Sequence, residues 1–213
     1  MSRPAAVVFD CDGVLVDSEP HSVAAWLDVL GRLGHPAGER QIAECTGLGF
    51  GPTHDFLSEI APLPSKGEVW PRLLAALEGS FATGVRIFPD GIATLEACER
   101  AGIPVAVASA SPRARLDLTL QAAGLDGRFA VSVSGDEVDH GKPAPDCYLV
   151  AAARLGADPR ECVAIEDSGP GAVAAVVAGM RAIAVVRDMS DRDALAASGA
   201  EVVAALDPGM LGL

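Results

Sequence analysis

Ala6-Val7-Val8-Phe9-Asp10-Cys11-Asp12-Gly13 joins a short, wholly apolar run to two carboxylates and a glycine. An apolar run without alternation reads as a strand buried on both faces, as in a parallel sheet covered by helices. Residues two apart in extended chain point to one side, so Asp10 and Asp12 share a face while Cys11 points into packing. Similar runs follow at Val105-Ala106-Val107-Ala108-Ser109, Val131-Ser132-Val133-Ser134, Val163-Ala164-Ile165-Glu166-Asp167 and Ile183-Ala184-Val185-Val186. Helix-like stretches at roughly 90–101, 113–123, 145–155 and 170–179 separate them. This alternation predicts right-handed βαβ crossovers and an α/β three-layer sandwich with a central parallel sheet, a Rossmann-like core. The Ala-rich end near 194–205 reads as helix.

The first two strands are separated by a long region with a different period. Val23, Trp26, Leu27 and Leu30 fall on one helical face, and Trp70, Leu73, Leu74 and Leu77 repeat the pattern. Gly47, Gly49, Gly51, Pro52, Pro62 and Pro64 cut the region into short helices. The expected organisation is therefore an α/β core formed by 1–16 and 84–213, with 17–83 inserted as a helical cap.

Bulk properties narrow the function. Half of the 213 residues are hydrophobic and 4% are aromatic, which predicts an aliphatic core. No apolar run approaches the ~20 residues that span a bilayer, so no membrane partner is expected. Met1-Ser2-Arg3-Pro4 leads directly into the first apolar run without a long apolar segment or small-residue cleavage site, so a secretory signal is not expected. The five scattered cysteines without CxxC spacing suit neither a disulfide framework nor a structural zinc site. A cytoplasmic location is the expectation. A net charge of −13 disfavours nucleic acid, whose phosphates need a basic surface. A small phosphorylated substrate is compatible, because a bound cation and placed lysines make a pocket locally positive. Assembly is expected to go no further than a monomer or weak homodimer.

The polar residues at the strand ends carry the chemistry. A carboxylate attacks phosphorus once a metal and a lysine reduce the repulsion between anions, and a second carboxylate serves as general acid and base. Asp10 and Asp12 suit these two roles, although an Asp after a strand also caps turns. Glu166-Asp167 ends another buried strand and, with Asp10, offers the hard oxygen ligands that Mg2+ prefers. The competing reading is that Asp167 or Ser168 caps the helix after Pro170. Ser109, with following backbone N–H groups in Ala108-Ser109-Ala110-Ser111-Pro112, can hold phosphate oxygens at a helix start, or can act as an ordinary cap. Lys142 sits in the Gly/Pro loop Gly141-Lys142-Pro143-Ala144-Pro145-Asp146. It can neutralise nucleophile and phosphate, though most loop lysines are merely solvated.

Taken in order, these segments resemble the four motifs of the haloacid dehalogenase-like hydrolase superfamily, over essentially the whole core. Phe9-Asp10-Cys11-Asp12-Gly13-Val14-Leu15-Val16-Asp17-Ser18-Glu19 is similar to the first motif and Ser109 to the second. Lys142 in Gly-Lys-Pro-x-Pro-Asp matches the third, and Glu166-Asp167-Ser168-x-x-Gly the fourth. The insertion resembles the helical cap of the β-phosphoglucomutase-like branch. The resemblance implies that Asp10 forms an aspartyl-phosphate and that Asp12 protonates the leaving oxygen and then activates water. It implies Mg2+ held by the side chains of Asp10 and Asp167, the carbonyl of Asp12, and Glu166 directly or through water. Ser109, Ala110 through its N–H, Ser111 and Lys142 would hold the phosphoryl group. The second aspartate and the acidic pair favour phosphate chemistry over carbon–halogen cleavage.

The cap is expected to set the substrate through His21, Thr46 and Gly47, with Leu48, Thr53 and His54 as further candidates. The Ser-Glu-Pro and Ala-Ser-Ala-Ser-Pro segments resemble those of sugar-phosphate phosphatases. Hydrolysis of a small phosphorylated metabolite is thus the favoured reading. Phosphoryl transfer between sugar hydroxyls is the alternative, and a non-catalytic phospho-ligand sensor a third. In Arg86-Ile87-Phe88-Pro89-Asp90-Gly91, Asp90 departs from the Pro-Gly usual in related sequences and is expected to cap the next helix.

Overall fold

The computed structural model describes residues 3–45, 49–188 and 190–213. The chain divides into two compact units, one formed by residues up to Asp17 with Arg86–Leu213, the other by Ser18–Val85.

In chain order, strands β1 (Ala6–Phe9) and β2 (Val16–Asp17) precede helices α1 (Glu19–Leu33), α2 (Glu39–Ala43), α3 (Phe50–Ile60) and α4 (Lys66–Phe81). Strand β3 (Arg86–Ile87), α5 (Pro89–Ala101), β4 (Val105–Ala108), α6 (Arg113–Ala122) and β5 (Val131–Val133) follow. The chain continues through α7 (Asp146–Leu155), β6 (Cys162–Glu166), α8 (Gly169–Val177), β7 (Arg181–Val185), α9 (Arg192–Ala197) and β8 (Glu201–Val203).

The larger unit is built on a six-stranded sheet in the order β5-β4-β1-β6-β7-β8, and every pairing in it is parallel. All residues of β1, β4 and β6 are buried, as their unbroken apolar sequences require. Small side chains let α7 and α8 lie close on the sheet: Ala151, Ala152, Ala174 and Ala175 pack with Val8, Ala106 and Ala164. The fold class is thus the expected α/β sandwich. The reading of 194–205 as helix is corrected. Helix α9 stops at Ala197, Gly199 takes a φ of 85°, and the chain continues as edge strand β8. The Ala-rich composition hid this strand, because the β-branched signal is confined to Val202 and Val203.

Asp90 also departs from expectation. It lies inside the first turn of α5, whose N-cap is Phe88. Its carboxylate makes a two-pronged ion pair with Arg187, both bonds at 2.9 Å, and accepts the Leu206 N–H at 3.0 Å.

In the helical unit, α1 packs against α4. Phe50 stacks on Trp26 at a centroid distance of 6.0 Å and tilts against Trp70 at 4.9 Å. The buried face of α1 is Ser22, Ala25, Trp26, Val29 and Leu30. Leu27, assigned to that face from sequence, is exposed. The real stripe is rotated so that Ala25 and Val29 take its place. No helix among the described residues is long and apolar enough to cross a membrane.

The rotation of α1 is testable by urea unfolding. Leu30→Ala is expected to cost ~2–5 kcal/mol, as for buried leucines generally. Leu27→Ala should stay within about 0.5 kcal/mol, as for ordinary surface positions.

Candidate active site

Strand β1 is flanked by β4 on one side and β6 on the other, so the C-terminal ends of all three strands lie together. Asp10 follows β1, Ser109 follows β4, Glu166 ends β6 and Asp167 comes next. Sheets of this kind bind ligands at such a strand-order switch.

Asp10, Glu166 and Asp167 each place one carboxylate oxygen within 4.8 Å of the others. Lys142 enters this cluster from the segment between β5 and α7. Its ammonium donates to Asp10 Oδ1 at 2.5 Å, to Glu166 Oε1 at 2.6 Å and to the Ala108 carbonyl at 3.0 Å. The Lys142 side chain is only 5% exposed, so this lysine is structural as well as electrostatic. Tyr148 closes the group from α7: its hydroxyl donates to Glu166 Oε1 at 2.7 Å, and its ring lies 5.1 Å from the ammonium.

The acids differ in how well the protein satisfies them. Glu166 is wholly buried, and its Oε2 accepts the N–H groups of Asp167 and Ser168 and the Ser168 hydroxyl. Despite the cost of burial, Lys142 and these donors hold its pKa below the ordinary value. Asp10 is pushed up to about 8, mainly by burial, with Glu166 and Asp12 adding to the rise against the pull of Lys142. Asp167 is raised well above its ordinary value by burial and by Glu166 and Asp10. Among the described residues no hydrogen-bond donor reaches the Asp167 carboxylate. Three carboxylates therefore face one ammonium, and the donor set suits a hard divalent cation.

Two glycines make the convergence possible. At Gly13, with a φ of 83°, an added Cβ would sit 1.9 Å from Asp167 Oδ2. At Gly171 it would sit 1.8 Å from Glu166 Oε1. The helix cap after β6 is Ser168, whose Oγ accepts the Gly171 N–H at 3.1 Å. Asp167 is thereby left to face the cluster.

Asp12 turns the other way. Its Oδ2 accepts the Ser111 hydroxyl at 3.1 Å and the Ser109 hydroxyl at 3.4 Å, while Arg115 Nη2 lies 3.7 Å from Oδ1. Ser109 and Ser111 are buried, and Pro112 rather than either serine stands at the N-cap of α6. Ala110 is exposed at the turn between them. His21 lies in the helical unit, where its Nδ1 is 2.7 Å from Ser80 Oγ. In the same unit Thr53 and His54 are buried, and His54 Nε2 reaches the Pro64 carbonyl at 2.8 Å. Thr46, Gly47 and Leu48 lie outside the described residues.

Sequence reasoning missed Tyr148 and Arg115. A tyrosine on an apolar helix face and an arginine in a first helical turn both have ordinary explanations. Only the sheet register brings them to the acids.

Residues 4–179 match the family model described as haloacid dehalogenase-like hydrolase. The chain is 35% identical to hexitol phosphatase B of Escherichia coli, over 91% of this chain and 90% of that one. It is 33% identical to the E. coli fructose-1-phosphate phosphatase YqaB, over 86% and 97% of the two chains. Among solved structures, CbbY from Rhodobacter sphaeroides in complex with phosphate superposes with a TM-score of 0.83, at 27% identity over 95% and 94% of the chains. A putative β-phosphoglucomutase from Thermotoga maritima gives a TM-score of 0.78, at 30% identity over 97% and 95%.

Removing the shared ammonium tests the electrostatic account. Lys142→Ala strands two buried carboxylates, and the expected loss in metal-free chemical denaturation is ~3–5 kcal/mol. A loss under about 1 kcal/mol would contradict it.

Proposed function

This chain belongs to the haloacid dehalogenase-like hydrolase family and is a phosphatase of that family, and we propose that it hydrolyses a small sugar phosphate through a phosphoryl group carried on Asp10. The observation that carries this reading is the placement of Asp10. Its Oδ1 is fixed by Lys142, and it shares a cluster with Asp167 and Glu166. The general acid/base candidate Asp12 is held two residues away by Ser109 and Ser111.

In this reading the free oxygen of the Asp10 carboxylate attacks phosphorus while the bond to the leaving oxygen breaks. Asp12 gives its proton to that oxygen. Water then attacks the phosphoaspartate, Asp12 takes the proton from the water, and Asp10 and inorganic phosphate are regenerated. Lys142, the Ser109 and Ser111 hydroxyls and the Ala110 N–H stabilise the transferring group, whose charge has to be neutralised. The side chains of Asp10 and Asp167, the Asp12 carbonyl and, directly or through water, Glu166 would hold Mg2+, which would supply the positive charge that lets two anions approach.

The helical insert is the proposed cap, with His21 and Thr46-Gly47 as its selectivity residues. Relatives named hexitol phosphatase and fructose-1-phosphate phosphatase support a polyol or sugar phosphate here. Their predominance favours water over a second sugar hydroxyl as the acceptor.

With Mg2+, a panel of hexitol phosphates and fructose 1-phosphate is expected to release inorganic phosphate. β-Glucose 1-phosphate with a bisphosphate primer should give free phosphate rather than glucose 6-phosphate; accumulation of the isomer would assign the mutase reaction instead. Asp10→Asn is expected to lower kcat by roughly 10⁴-fold or more, the scale of nucleophile deletions. It should also abolish labelling of the protein by substrate phosphate, and retained labelling would exclude Asp10 as nucleophile.

A further inference from the structure

One loop outside the acid- and lysine-bearing segments touches two of them. It follows β7, and Arg187 and Ser190 lie on it. Arg187 Nε donates to the Gly13 carbonyl at 2.8 Å, and Nη2 lies 3.5 Å from the Val14 carbonyl. The rest of the guanidinium is fixed by the two-pronged pair with Asp90, and its carbon lies 4.0 Å from the centre of the Phe88 ring. The Arg187 backbone N–H donates to Ser190 Oγ at 3.0 Å, and that hydroxyl donates to the Asp167 carbonyl at 2.8 Å.

The two carbonyls held by this loop belong to residues whose placement matters. Gly13 follows Asp12, and Asp167 is the acid that packs directly against Gly13. The Arg187 side chain is 13% exposed and that of Asp90 21%, so the clamp is largely sheltered from water. Paired carboxylate and guanidinium planes fix orientation as well as distance, and stacking on an aromatic face adds a further restraint. A lysine at this position offers a single charge and no fork. The Asp90 carboxylate has no other evident purpose: it does not cap α5, and its oxygens are taken up by Arg187, Leu206 and Gly91.

We infer that Arg187 and Ser190 are positioning residues, which set the separation between the Asp10–Gly13 turn and Asp167 by holding a backbone carbonyl on each side. The inference rests on the reading of Asp10 and Asp167 as a Mg2+ and phosphoryl site. Displacements of about 1 Å remote from the chemistry cost on the order of 10²-fold in rate. Residues that orient ligands through their neighbours typically change metal affinity ~10–100-fold.

The test uses the full chain and measures Mg2+ binding alone by calorimetry. It also measures kcat and KM on p-nitrophenyl phosphate at saturating Mg2+, and the melting temperature. Arg187→Ala is expected to weaken Mg2+ binding ~10-fold or more and to lower kcat roughly 10–100-fold, with KM changing much less. Arg187→Lys should recover little of either. Ser190→Ala, which removes one hydroxyl, should move Mg2+ affinity in the same direction, and it decides the matter if Arg187→Ala does not fold. Wild-type Mg2+ affinity and kcat in both alanine variants would overturn the inference, as would a lowered melting temperature with nothing else changed. A wild-type protein that binds Mg2+ but hydrolyses no phosphomonoester would overturn the proposed function and leave the Mg2+ comparison to decide the spacing role. A wild type that binds no Mg2+ overturns both.

Discussion

The Lys142 ammonium, 2.5 Å from Asp10 and 2.6 Å from Glu166, is the contact that makes the centre of this molecule possible. Buried carboxylates are tolerated only when paired and hydrogen-bonded. Here three of them gather where a parallel sheet has its dry interior. The lysine arrives from 132 residues beyond Asp10, after three of the six strands of the parallel sheet, β1, β4 and β5, have been laid down in the chain. Tyr148 and the Ala108 carbonyl take up the remaining hydrogen-bonding directions around that pair.

The same contact separates the roles of acids that look alike on paper. Glu166 accepts from Lys142, the Tyr148 hydroxyl, the Ser168 hydroxyl and two backbone N–H groups. Asp10 keeps its Oδ1 on the lysine, while no hydrogen-bond donor among the described residues reaches the Asp167 carboxylate, which lies beside Asp10 and Glu166. Asp12, two residues from Asp10, belongs to a different neighbourhood of hydroxyls and a guanidinium. Two carboxylates separated by a single residue thus sit in different surroundings, one on the lysine and one among hydroxyls.

Much of this was legible in the sequence because strand burial and strand-end polarity are local signals. The unbroken runs at Val7 and Ala164 announced buried parallel strands, and the acids stood at their ends. Asp167 and Ser168 are equivalent cap candidates by sequence, and in the fold Ser168 takes the helix cap. What escaped was set by long-range register. Arg115, Tyr148 and Arg187 come from segments whose own composition suits ordinary helices and loops. Strand β8 was lost in an Ala-rich stretch, since its pairing with β7 rather than its propensity makes it a strand. Leu27 was misplaced because a helical period read from four large residues overlooks Ala25 and Val29 as core. Asp90 was legible as unusual but not as a counterion, because Arg187 lies 97 residues away.

Strands β2 and β3 pair antiparallel, Val16 opposite Ile87 and Asp17 opposite Arg86, with the Arg86 Nε donating to Asp17 at 2.7 Å. The chain therefore leaves the sheet-bearing unit and re-enters it at adjacent positions about 5 Å apart. Topologically, everything between them is one loop whose ends are already tied. The entropy of closing such a loop grows only logarithmically, by about 0.6 kcal/mol per doubling of length. The sheet is therefore nearly indifferent to how long the intervening helical segment is or what sequence it has. That neck works as a socket: the helices it carries can be lengthened, shortened or exchanged wholesale, by evolution or by design, while the buried acids and their lysine are inherited unchanged.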